Sequence, residues 1–458
     1  MEKGALPDVV SRQPPDVQLG TDLLLFDKPA ILSSILIDKK GAAHVFAVDQ
    51  GRQLYHLQII DDKIITREFL DKIENKHTQF IDAVEYPPGK LRVLAGDKQY
   101  IQVAPNGDWK EIKRNQCEQF VPVADKLLCA FVIEGEKIEA PERTDYTFGW
   151  FLLVPIVYWS HEHASKLVLA EESPEGWIIL AVVDPDTTMD ADSDFLVETD
   201  RIGNIHFLYS TSRGGGGFFV FAYGYSGGAA ASKPKSELRY AQLRSDQLLA
   251  QSTIALNQVL NRNATPTKWI SVKGVSLEAK PCVKKDYNYY NASIVLNPLK
   301  RKFLVNQETG NINGLMLASQ CTLADDTREL PMLGPNQSVV EVSLRDGQWS
   351  PHFNIVTAND FPTSGILWNL DNLSIKRDGK GKFHLLLPSL DPGWKNRKYI
   401  NYLLKDDTNW SAPLILGRGD ITINVISFAV DDSGVAFAAW VNAKGEFIGK
   451  WIKPRTGR

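Results

Sequence analysis

The chain is poor in cysteine, has no excess of basic residues and has no apolar run that could span a bilayer. Its 458 residues include four cysteines, a number that fits a reducing or an oxidising compartment. The 51 lysines and arginines are scattered singly among 55 aspartates and glutamates, and the formal net charge is -4. This balance lacks the basic surface that a nucleic-acid-binding protein needs. The apolar segment 148–159 is too short to cross a membrane.

Helical patterning and linkers are absent as well. No long stretch keeps the apolar period of a helix, whereas runs of β-branched and aromatic residues alternate with Gly, Asp, Asn and Pro. No segment rich in Gly, Ser or Pro divides the chain, so we expect a single domain over residues 1–458. The opening residues MEKGALPDVV lack the apolar core of a signal peptide.

A sharp turn of the form Asp-x-x-Gly interrupts the apolar runs at residues 38–41, 200–203, 378–381 and 431–434. Six residues after the aspartate stand His44, His206 and His384 in the first three cases and Phe437 in the fourth. Each turn belongs to a unit in which two strands flank the turn and further strands follow. Recurrence of such a unit indicates a repeat architecture.

Seven copies of this unit are predicted, beginning near residues 35, 80, 120, 195, 292, 372 and 426. The last copy has three strands before the chain ends. The stretch 17–27 reads as one lone strand that completes this copy and leaves no open edge. The sequence therefore predicts an all-β fold, a seven-bladed β-propeller of four-stranded antiparallel blades whose last blade is closed by the N-terminal strand.

The repeats resemble those of sialidase-like and lectin-like propellers over nearly the whole chain. The resemblance is architectural, because the SxDxGxxW box of the sialidases is absent. The segment SLRDGQWS at 343–350 has its Asp and Trp misplaced. Propellers of this kind are often exported, so the resemblance implies an extracytoplasmic or secreted protein, with a cytoplasmic location as the alternative.

Three cysteines carry specific predictions. Cys129 falls on a predicted strand, where we interpret it as a small buried hydrophobic residue. Cys282 and Cys321 fall in long connections on the same predicted face. The sequence is compatible with a disulfide between them and also with two separate thiols.

Long connections concentrate on consecutive blades, the third to the fifth. They cover about residues 134–165, 210–236, 256–290 and 306–338. In a propeller all of them open on the face opposite to the Asp-x-x-Gly turns. Because long loops cost ordering entropy, they persist mainly where they bind or assemble something. We predict that these insertions form a crown on one face, and that the crown is the working surface.

Two insertions are strongly apolar and aromatic. The segments 148–159 and 214–231 would form an apolar patch larger than monomers usually tolerate if both were exposed. Either they pack against one another over the ring, or they dock a carbohydrate, a protein partner or a second copy of the chain. Membrane insertion is disfavoured, because no basic face accompanies them.

The candidate binding residues are aromatic side chains of these insertions and one aromatic–cationic pair in a later blade. They are Trp150, Tyr158, Phe218 and Tyr223, together with Trp394 and Arg397. A sugar ring can stack on an aromatic surface of this kind. A buried turn tryptophan is the alternative for Trp394.

Two groups of histidines allow different interpretations. His44, His206 and His384 have the residue type of zinc or copper ligands, but equivalent positions lie far apart around a ring. We therefore predict that each makes a local hydrogen bond between strands or to its turn. His161 and His163 are not repeat elements and are predicted to face the crown. With Tyr289 they form the candidate catalytic set, as in propeller polysaccharide lyases, where a His or Tyr acts as general base. A solvated loop with incidental histidines is the alternative.

An acidic segment at 184–194 is the candidate metal site. It contains Asp184, Asp186, Asp190, Asp192 and Asp194. Carboxylates at this density can wrap a hard cation, so calcium is the candidate cofactor, while a solvated acidic loop without a cofactor is the other interpretation. The segment lacks the glycine and terminal glutamate of an EF-hand loop.

Taken together, these features favour a non-catalytic binding or assembly platform that recognises a carbohydrate or a protein through its loop-rich face. A homo-oligomer formed through the apolar insertions is a further expectation. The alternative function is that of a polysaccharide lyase or glycoside hydrolase with a histidine-based site in the central pocket.

Overall fold

The structure, a computed structural model, describes much of the chain. The described residues are 13–73, 81–96, 98–103, 108–112, 117–123, 126–133, 137–139, 143–149, 152–163, 166–173, 176–183, 195–200, 203–213, 215–222, 225–227, 235–244, 270–272, 284–285, 288–289, 295–305, 312–319, 337–345, 348–357, 366–367, 373–390, 398–406, 409–420 and 425–455.

The N-terminal region contains two lone strands and two complete sheets. The lone strands are β1 (Val17–Leu19) and β2 (Leu23–Phe26). Sheet 1 consists of β3 (Ala30–Ile37), β4 (Ala43–Asp49), β5 (Gln53–Ile60) and β6 (Lys63–Lys72). Sheet 2 consists of β7 (Ile81–Glu85), β8 (Leu91–Ala95), β9 (Lys98–Gln102) and β10 (Trp109–Ile112). Both sheets are antiparallel, and their strands are adjacent in chain order.

The middle region contains two further sheets, each with strands inserted between its second and third members. Sheet 3 consists of β11 (Gln119–Val123), β12 (Lys126–Ile133), β16 (Lys166–Ser173) and β17 (Gly176–Val182), with β13 (Lys137–Glu139), β14 (Arg143–Gly149) and β15 (Leu152–His163) inserted. Sheet 4 consists of β18 (Phe195–Thr199), β19 (Ile205–Arg213), β22 (Lys235–Leu243) and β23 (Ile270–Val272), with β20 (Gly215–Ala222) and β21 (Tyr225–Gly227) inserted. A separate pair, β24 (Lys284–Lys285) and β25 (Asn288–Tyr289), follows.

The C-terminal region contains three more sheets. Sheet 5 consists of β26 (Val295–Val305), β27 (Ile312–Ser319), β28 (Gln337–Arg345) and β29 (Gln348–Thr357). Sheet 6 consists of β31 (Ser374–Arg377), β32 (Phe383–Leu390), β33 (Lys398–Asp406) and β35 (Leu414–Gly419), with β30 (Ile366–Leu367) and β34 (Asn409–Trp410) added. Sheet 7 consists of β36 (Ile426–Val430), β37 (Ala436–Val441) and β38 (Phe447–Pro454).

The N-terminal strands pair with the C-terminal strand of sheet 7. Both β1 and β2 lie antiparallel to β38, with Val17 opposite Pro454 and Leu23 opposite Gly449. The sequence predicted one strand over 17–27, and the structure has two short strands in its place. The chain therefore supplies the fourth position of its last sheet from its beginning.

The first strands of successive sheets lie side by side. β3 contacts β7, β7 contacts β11, β11 contacts β18, β18 contacts β26, β26 contacts β31, β31 contacts β36, and β36 contacts β3. The molecule is thus all-β, built from four-stranded antiparallel sheets whose first strands meet. This is a propeller-like architecture.

The hydrophobic core lies between neighbouring sheets. One cluster joins Phe46 of sheet 1 to Tyr100 of sheet 2, and another joins Tyr402 of sheet 6 to Trp440 of sheet 7. Further clusters fill the junctions of sheets 2 and 3, of sheets 3 and 4, and of sheets 7 and 1. Fully burying one side chain as large as Phe46 stabilises the fold by roughly 1.5–3 kcal/mol. Packing between sheets therefore fixes the positions of their polar residues.

The strands inserted in sheets 3 and 4 combine into one additional sheet, which we call the projecting sheet. It has the order β13, β15, β20, β21, with β14 also paired to β15. The contact between the two insertions is the antiparallel pair of β15 and β20, from Ile156 opposite Val220 to His161 opposite Gly215. The two apolar segments thus pair with one another through their backbones.

A disulfide joins Cys117 to Cys129 in sheet 3, with their Cα atoms 5.6 Å apart. Cys129 is buried on β12, as the sequence indicated, but its interpretation as a simple hydrophobic residue is wrong. Cys117 precedes β11 and reaches the neighbouring strand. Cys282 and Cys321 lie outside the described residues.

Candidate functional site

The Asp-x-x-Gly turns owe their recurrence to backbone hydrogen bonds. Oδ1 of Asp38 accepts the backbone N–H groups of Lys40 and Ala42, both at 2.9 Å. Gly41 has a φ of 82°, a conformation that residues with a side chain rarely adopt. The same acceptor role is played by Asp200, Asp378 and Asp431 in their own turns. The motif therefore stabilises the turn between the first two strands of sheets 1, 4, 6 and 7.

The repeated histidines bind the same aspartates. Nε2 of His44 and of His206 lies 3.2 Å from Oδ2 of the turn aspartate, and Nε2 of His384 lies 3.4 Å from it. The prediction of a local hydrogen bond to the turn is confirmed for all three. Each pair belongs to its own sheet, and among the side chains that the structure describes no group of three potential metal ligands occurs.

The charge on Asp378 is stabilised by its hydrogen-bond donors. Burial alone would raise the pKa of Asp378, but hydrogen bonds from His384 and from the backbone N–H groups of Lys382 and Lys380 outweigh it and lower the pKa. The carboxylate is therefore ionised at neutral pH, and the nitrogen that faces it must carry a proton.

Polar side chains also join the first strands of neighbouring sheets. The Gln119 side-chain amide both donates to the backbone carbonyl of Val197 (2.7 Å) and accepts its N–H (3.1 Å). Oδ2 of Asp82 accepts the backbone N–H of Phe120 at 2.9 Å. The hydroxyl groups of Ser33 and Ser427 bond to one another across sheets 1 and 7. These bonds hold the first strands in register with each other.

Glu198, on the first strand of sheet 4, feels the charges of two residues on the first strands of other sheets. Burial raises the pKa of Glu198, the positive charge of Lys376 opposes the rise, and the negative charge of Asp82 adds to it. Glu198 and Lys376 hold equivalent positions, since they pair with His206 and His384 of their own sheets. Sequence reasoning missed them. Their common register opposite the repeated histidines is the signal that could have found them.

Lys398 of sheet 6 is a buried cation, with 1% of its surface exposed. Burial lowers its pKa to about 8, although the negative charge of Asp420 favours the protonated form. It directly follows the predicted Trp394 and Arg397 segment, which lies outside the described residues. Nothing in the local sequence marks Lys398, because it lies against Gly419, a residue of another strand that is distant in sequence.

The projecting sheet brings two predicted binding residues together. Tyr158 on β15 lies directly opposite Phe218 on β20. The next three positions of β15, Trp159 to His161, lie opposite three glycines, Gly217 to Gly215. Trp150 and Tyr223 lie outside the described residues. The sheet therefore places aromatic residues from both insertions at neighbouring positions.

The predicted catalytic residues lie on two different elements. His161 and His163 are on β15, where they pair with Glu139 and Lys137 of β13. Tyr289 is on β25, opposite Lys284 of β24. Their catalytic role stays a prediction. The predicted calcium ligands Asp184, Asp186, Asp190, Asp192 and Asp194 lie outside the described residues.

Within the described ranges, no helix is long and apolar enough to cross a membrane. No protein-family model matches the chain, and no curated protein matches it.

Several solved structures are similar in fold at low sequence identity. The BP39L lectin of Burkholderia pseudomallei has a TM-score of 0.45 and 11% identity, over 94% of this chain and 99% of the lectin. The Cps50 (Swd1) β-propeller domain of Myceliophteria thermophila has a TM-score of 0.43 and 7% identity, over 95% of this chain and 99% of that domain. A Dyadobacter fermentans protein of unknown function has a TM-score of 0.41 and 9% identity, over 96% of this chain and 100% of that one. At these scores, the assignment of the fold rests on the strand order and contacts of this chain.

Proposed function

We propose that this protein is a non-catalytic binding platform, in which a ring of seven blades presents the projecting sheet to a carbohydrate or a protein partner. The observation that carries the proposal is the pairing of β15 with β20. Two insertions from different sheets combine there into a surface that the repeated sheets do not need. Insertions of this length persist mainly where they bind or assemble something.

Contacts between the first strands support the closed ring. Each first strand contacts the next, and β36 of sheet 7 contacts β3 of sheet 1. The hydroxyl pair of Ser33 and Ser427 and the pairing of β1 and β2 with β38 link the two ends of the chain. Such a ring is rigid, so a surface attached to it loses little conformational entropy when a ligand binds.

Strand direction supports a crown on the face opposite to the Asp-x-x-Gly turns. In sheets 3 and 4 the insertions join the second strand to the third, whereas the Asp-x-x-Gly turns of sheets 1, 4, 6 and 7 join the first strand to the second. In an antiparallel sheet, successive connections leave from opposite ends. Both described insertions thus start from the end away from the turns. Residues 256–290 and 306–338, which complete the proposed crown, lie mostly outside the described residues.

The disulfide supports a location outside the cytoplasm. Disulfides form and persist in oxidising compartments and are rare in the reducing cytosol. The Cys117–Cys129 bond lies in the buried part of sheet 3, where it is part of the fold. An extracytoplasmic platform agrees with carbohydrate as the first ligand class to test.

A glycan array with purified protein tests the proposal, run with calcium and with a chelator. We expect binding to at least one glycan class and a loss of about tenfold or more in affinity for Tyr158→Ala and Phe218→Ala, because aromatic stacking supplies such energies. Phe69→Ala is the matched control, since Phe69 is an aromatic residue on β6 with 56% of its surface exposed and is not part of the projecting sheet.

The outcomes separate the parts of the proposal. Unchanged glycan binding in both variants would remove the projecting sheet as the binding surface. If no glycan binds, a protein partner is the remaining occupant, and the same variants are then tested against cross-linked partners. Loss of binding in chelator would support calcium in the segment 184–194, whereas identical binding would argue against it.

A further inference from the structure

The projecting sheet places an arginine in line with its aromatic pair. Arg143 of β14 lies directly opposite Tyr158 of β15, and Tyr158 lies directly opposite Phe218 of β20. Directly opposed residues of antiparallel strands share one face of a sheet. Arg143, Tyr158 and Phe218 therefore form one row, which we call the aromatic row. It crosses three strands and spans about 10 Å at the usual spacing between strands.

The positions on either side of the aromatic row differ in size. Where β14 leads into β15, Asp145 lies opposite Ile156. Toward the base of the projecting sheet, Ser160 lies opposite Gly216. Each of these positions is two residues from the aromatic row along its own strand, so all of them share its face. The aromatic row thus has a carboxylate residue and a branched apolar residue on one side, and two small residues on the other.

The glycine beside the aromatic row allows a close approach to the backbone. A glycine inside a strand weakens it, and it commonly marks a bulge or a place where a ligand or another backbone comes near. The register of β15 and β20 is constant from Ile156 opposite Val220 to His161 opposite Gly215, so there is no bulge at Gly216. Gly216 therefore leaves space next to Tyr158 and Phe218 on this face.

The charged residues of this face favour an uncharged ligand that is rich in hydroxyl groups. Arginine has N–H donors and no acceptor, whereas an aspartate carboxylate accepts. Arg143 and Asp145 are two residues apart on β14, about 7 Å along the strand, and together they carry no net charge. Among the described positions of this face, the one further charged residue is Glu162, opposite Ile138. Its negative charge disfavours an anionic ligand.

We propose that the aromatic row binds an uncharged pyranoside sugar, which stacks on Tyr158 and Phe218 and exchanges hydrogen bonds with Arg143 and Asp145. This inference rests on the proposed function and narrows its ligand to one class of carbohydrate. Stacking binds the apolar face of the sugar ring. A sugar hydroxyl both donates and accepts, so adjacent hydroxyl groups can accept from the arginine and donate to the aspartate. These two residues then determine which sugars fit.

The opposite face of the projecting sheet supplies matched control positions. Thr144 lies between Arg143 and Asp145 on β14, and Trp159 follows Tyr158 on β15. Successive residues of a strand belong to opposite faces, so Thr144 and Trp159 are not on the face of the aromatic row. Their substitution changes the same two strands but leaves the proposed sugar site intact.

A glycan array followed by titration calorimetry with each bound glycan tests the proposal. We expect uncharged glycans to bind, with affinities that change by less than about twofold between about 0.05 M and 0.5 M NaCl, because the ligand carries no charge to be screened. Arg143→Met and Asp145→Ala should each weaken binding by about tenfold or more, since each removes a hydrogen bond to a charged group. Thr144→Ala and Trp159→Ala should bind as the wild type does.

Thermal unfolding shows whether each variant folds. If Arg143→Met or Asp145→Ala does not fold, Arg143→Gln and Asp145→Asn take their place, because they keep the size of the side chain and change its donors and acceptors. A loss of affinity in the same direction is expected for both.

The outcomes distinguish this inference from the proposed function. If Tyr158→Ala and Phe218→Ala lose binding while the variants at Arg143 and Asp145 retain it, the projecting sheet remains the binding surface and the inference is wrong. A preference for anionic glycans, with an affinity that falls by more than about tenfold over the same salt range, would also overturn it. Loss of binding in Trp159→Ala alone would place the ligand on the opposite face. If no glycan binds, the inference fails together with the carbohydrate part of the proposed function.

Discussion

Lys398 shows how one buried charge shapes stability. Its pKa is lowered to about 8 by burial, whereas the same group in an unfolded chain titrates near 10.5. Below pH 8 the folded protein must keep this cation away from water, which costs stability. Between pH 8 and pH 10.5 the folded state has lost the proton and the unfolded state retains it. Stability from this group therefore rises with pH across that window.

We expect Lys398→Met to remove a rise of about 3 kcal/mol in the free energy of unfolding between pH 8 and pH 10.5. The measurement is denaturant unfolding of both proteins at several pH values. The quantity compared is the difference between their free energies of unfolding. Lys453→Met serves as the control, because Lys453 lies on β38 of sheet 7 with 45% of its side chain exposed. An equal rise in wild type and Lys398→Met would show that Lys398 does not titrate in this range.

At the scale of elements, sheet 3 has a covalent link between the residues that precede its first strand and its second strand. Cys117 precedes β11 and Cys129 lies on β12, twelve residues later in sequence. Closing a loop of this size lowers the entropy of the unfolded chain, which stabilises the folded state by about 3 kcal/mol. Sheet 3 also carries one of the two insertions of the projecting sheet, so this link steadies the base of the proposed binding surface.

The double variant Cys117→Ser, Cys129→Ser should lose about 3 kcal/mol in free energy of unfolding. Reduced wild-type protein should lose a similar amount, as measured by urea denaturation with and without a reductant. The double variant should not respond to the reductant, which excludes an effect through Cys282 and Cys321. If the reductant leaves the urea midpoint of the wild-type protein unchanged, the disulfide does not contribute to stability as proposed.

At the scale of the whole molecule, the two ends of the chain meet in sheet 7. β2 places Leu25 against Phe437 and Phe447, and Trp451 of β38 donates to the backbone carbonyl of Asp61 in sheet 1. Without β1 and β2, one edge of β38 would present unpaired backbone groups beside exposed apolar side chains. Such an edge is a template for pairing with other chains.

Deletion of residues 1–26 should therefore produce oligomers or aggregates and lower the melting temperature. Size-exclusion chromatography with light scattering measures the first effect, and thermal unfolding measures the second. Deletion of residues 1–12, which precede β1, is the matched control and should behave as the full chain. If the protein without residues 1–26 is a monomer of unchanged stability, the pairing of β1 and β2 with β38 is not needed for the fold.

Much of the fold follows from local sequence. The Asp-x-x-Gly turns and the histidines six residues later could be predicted because the hydrogen bonds of each aspartate, to its turn and to its histidine, join residues within one hairpin. The same locality predicted strands on either side of each turn. It also led to the correct interpretation of His44, His206 and His384 as structural residues. The prediction of a single strand at 17–27 was less exact, since the break near Gly20 depends on contacts with Trp451.

The rest depended on contacts between distant strands. The partner of Cys129, the contact of His56 with Glu68, and the effect of the Lys376 charge on Glu198 all require a register or a sheet junction that no local motif encodes. The pairing of Tyr158 with Phe218 likewise joins insertions from two sheets. The sequence by itself determined the repeated turn, the strands around it and the place of the long insertions, because these depend on neighbours along the chain. The tertiary structure alone decided which polar and aromatic residues meet, because only packing between sheets fixes their distance and their exposure to water.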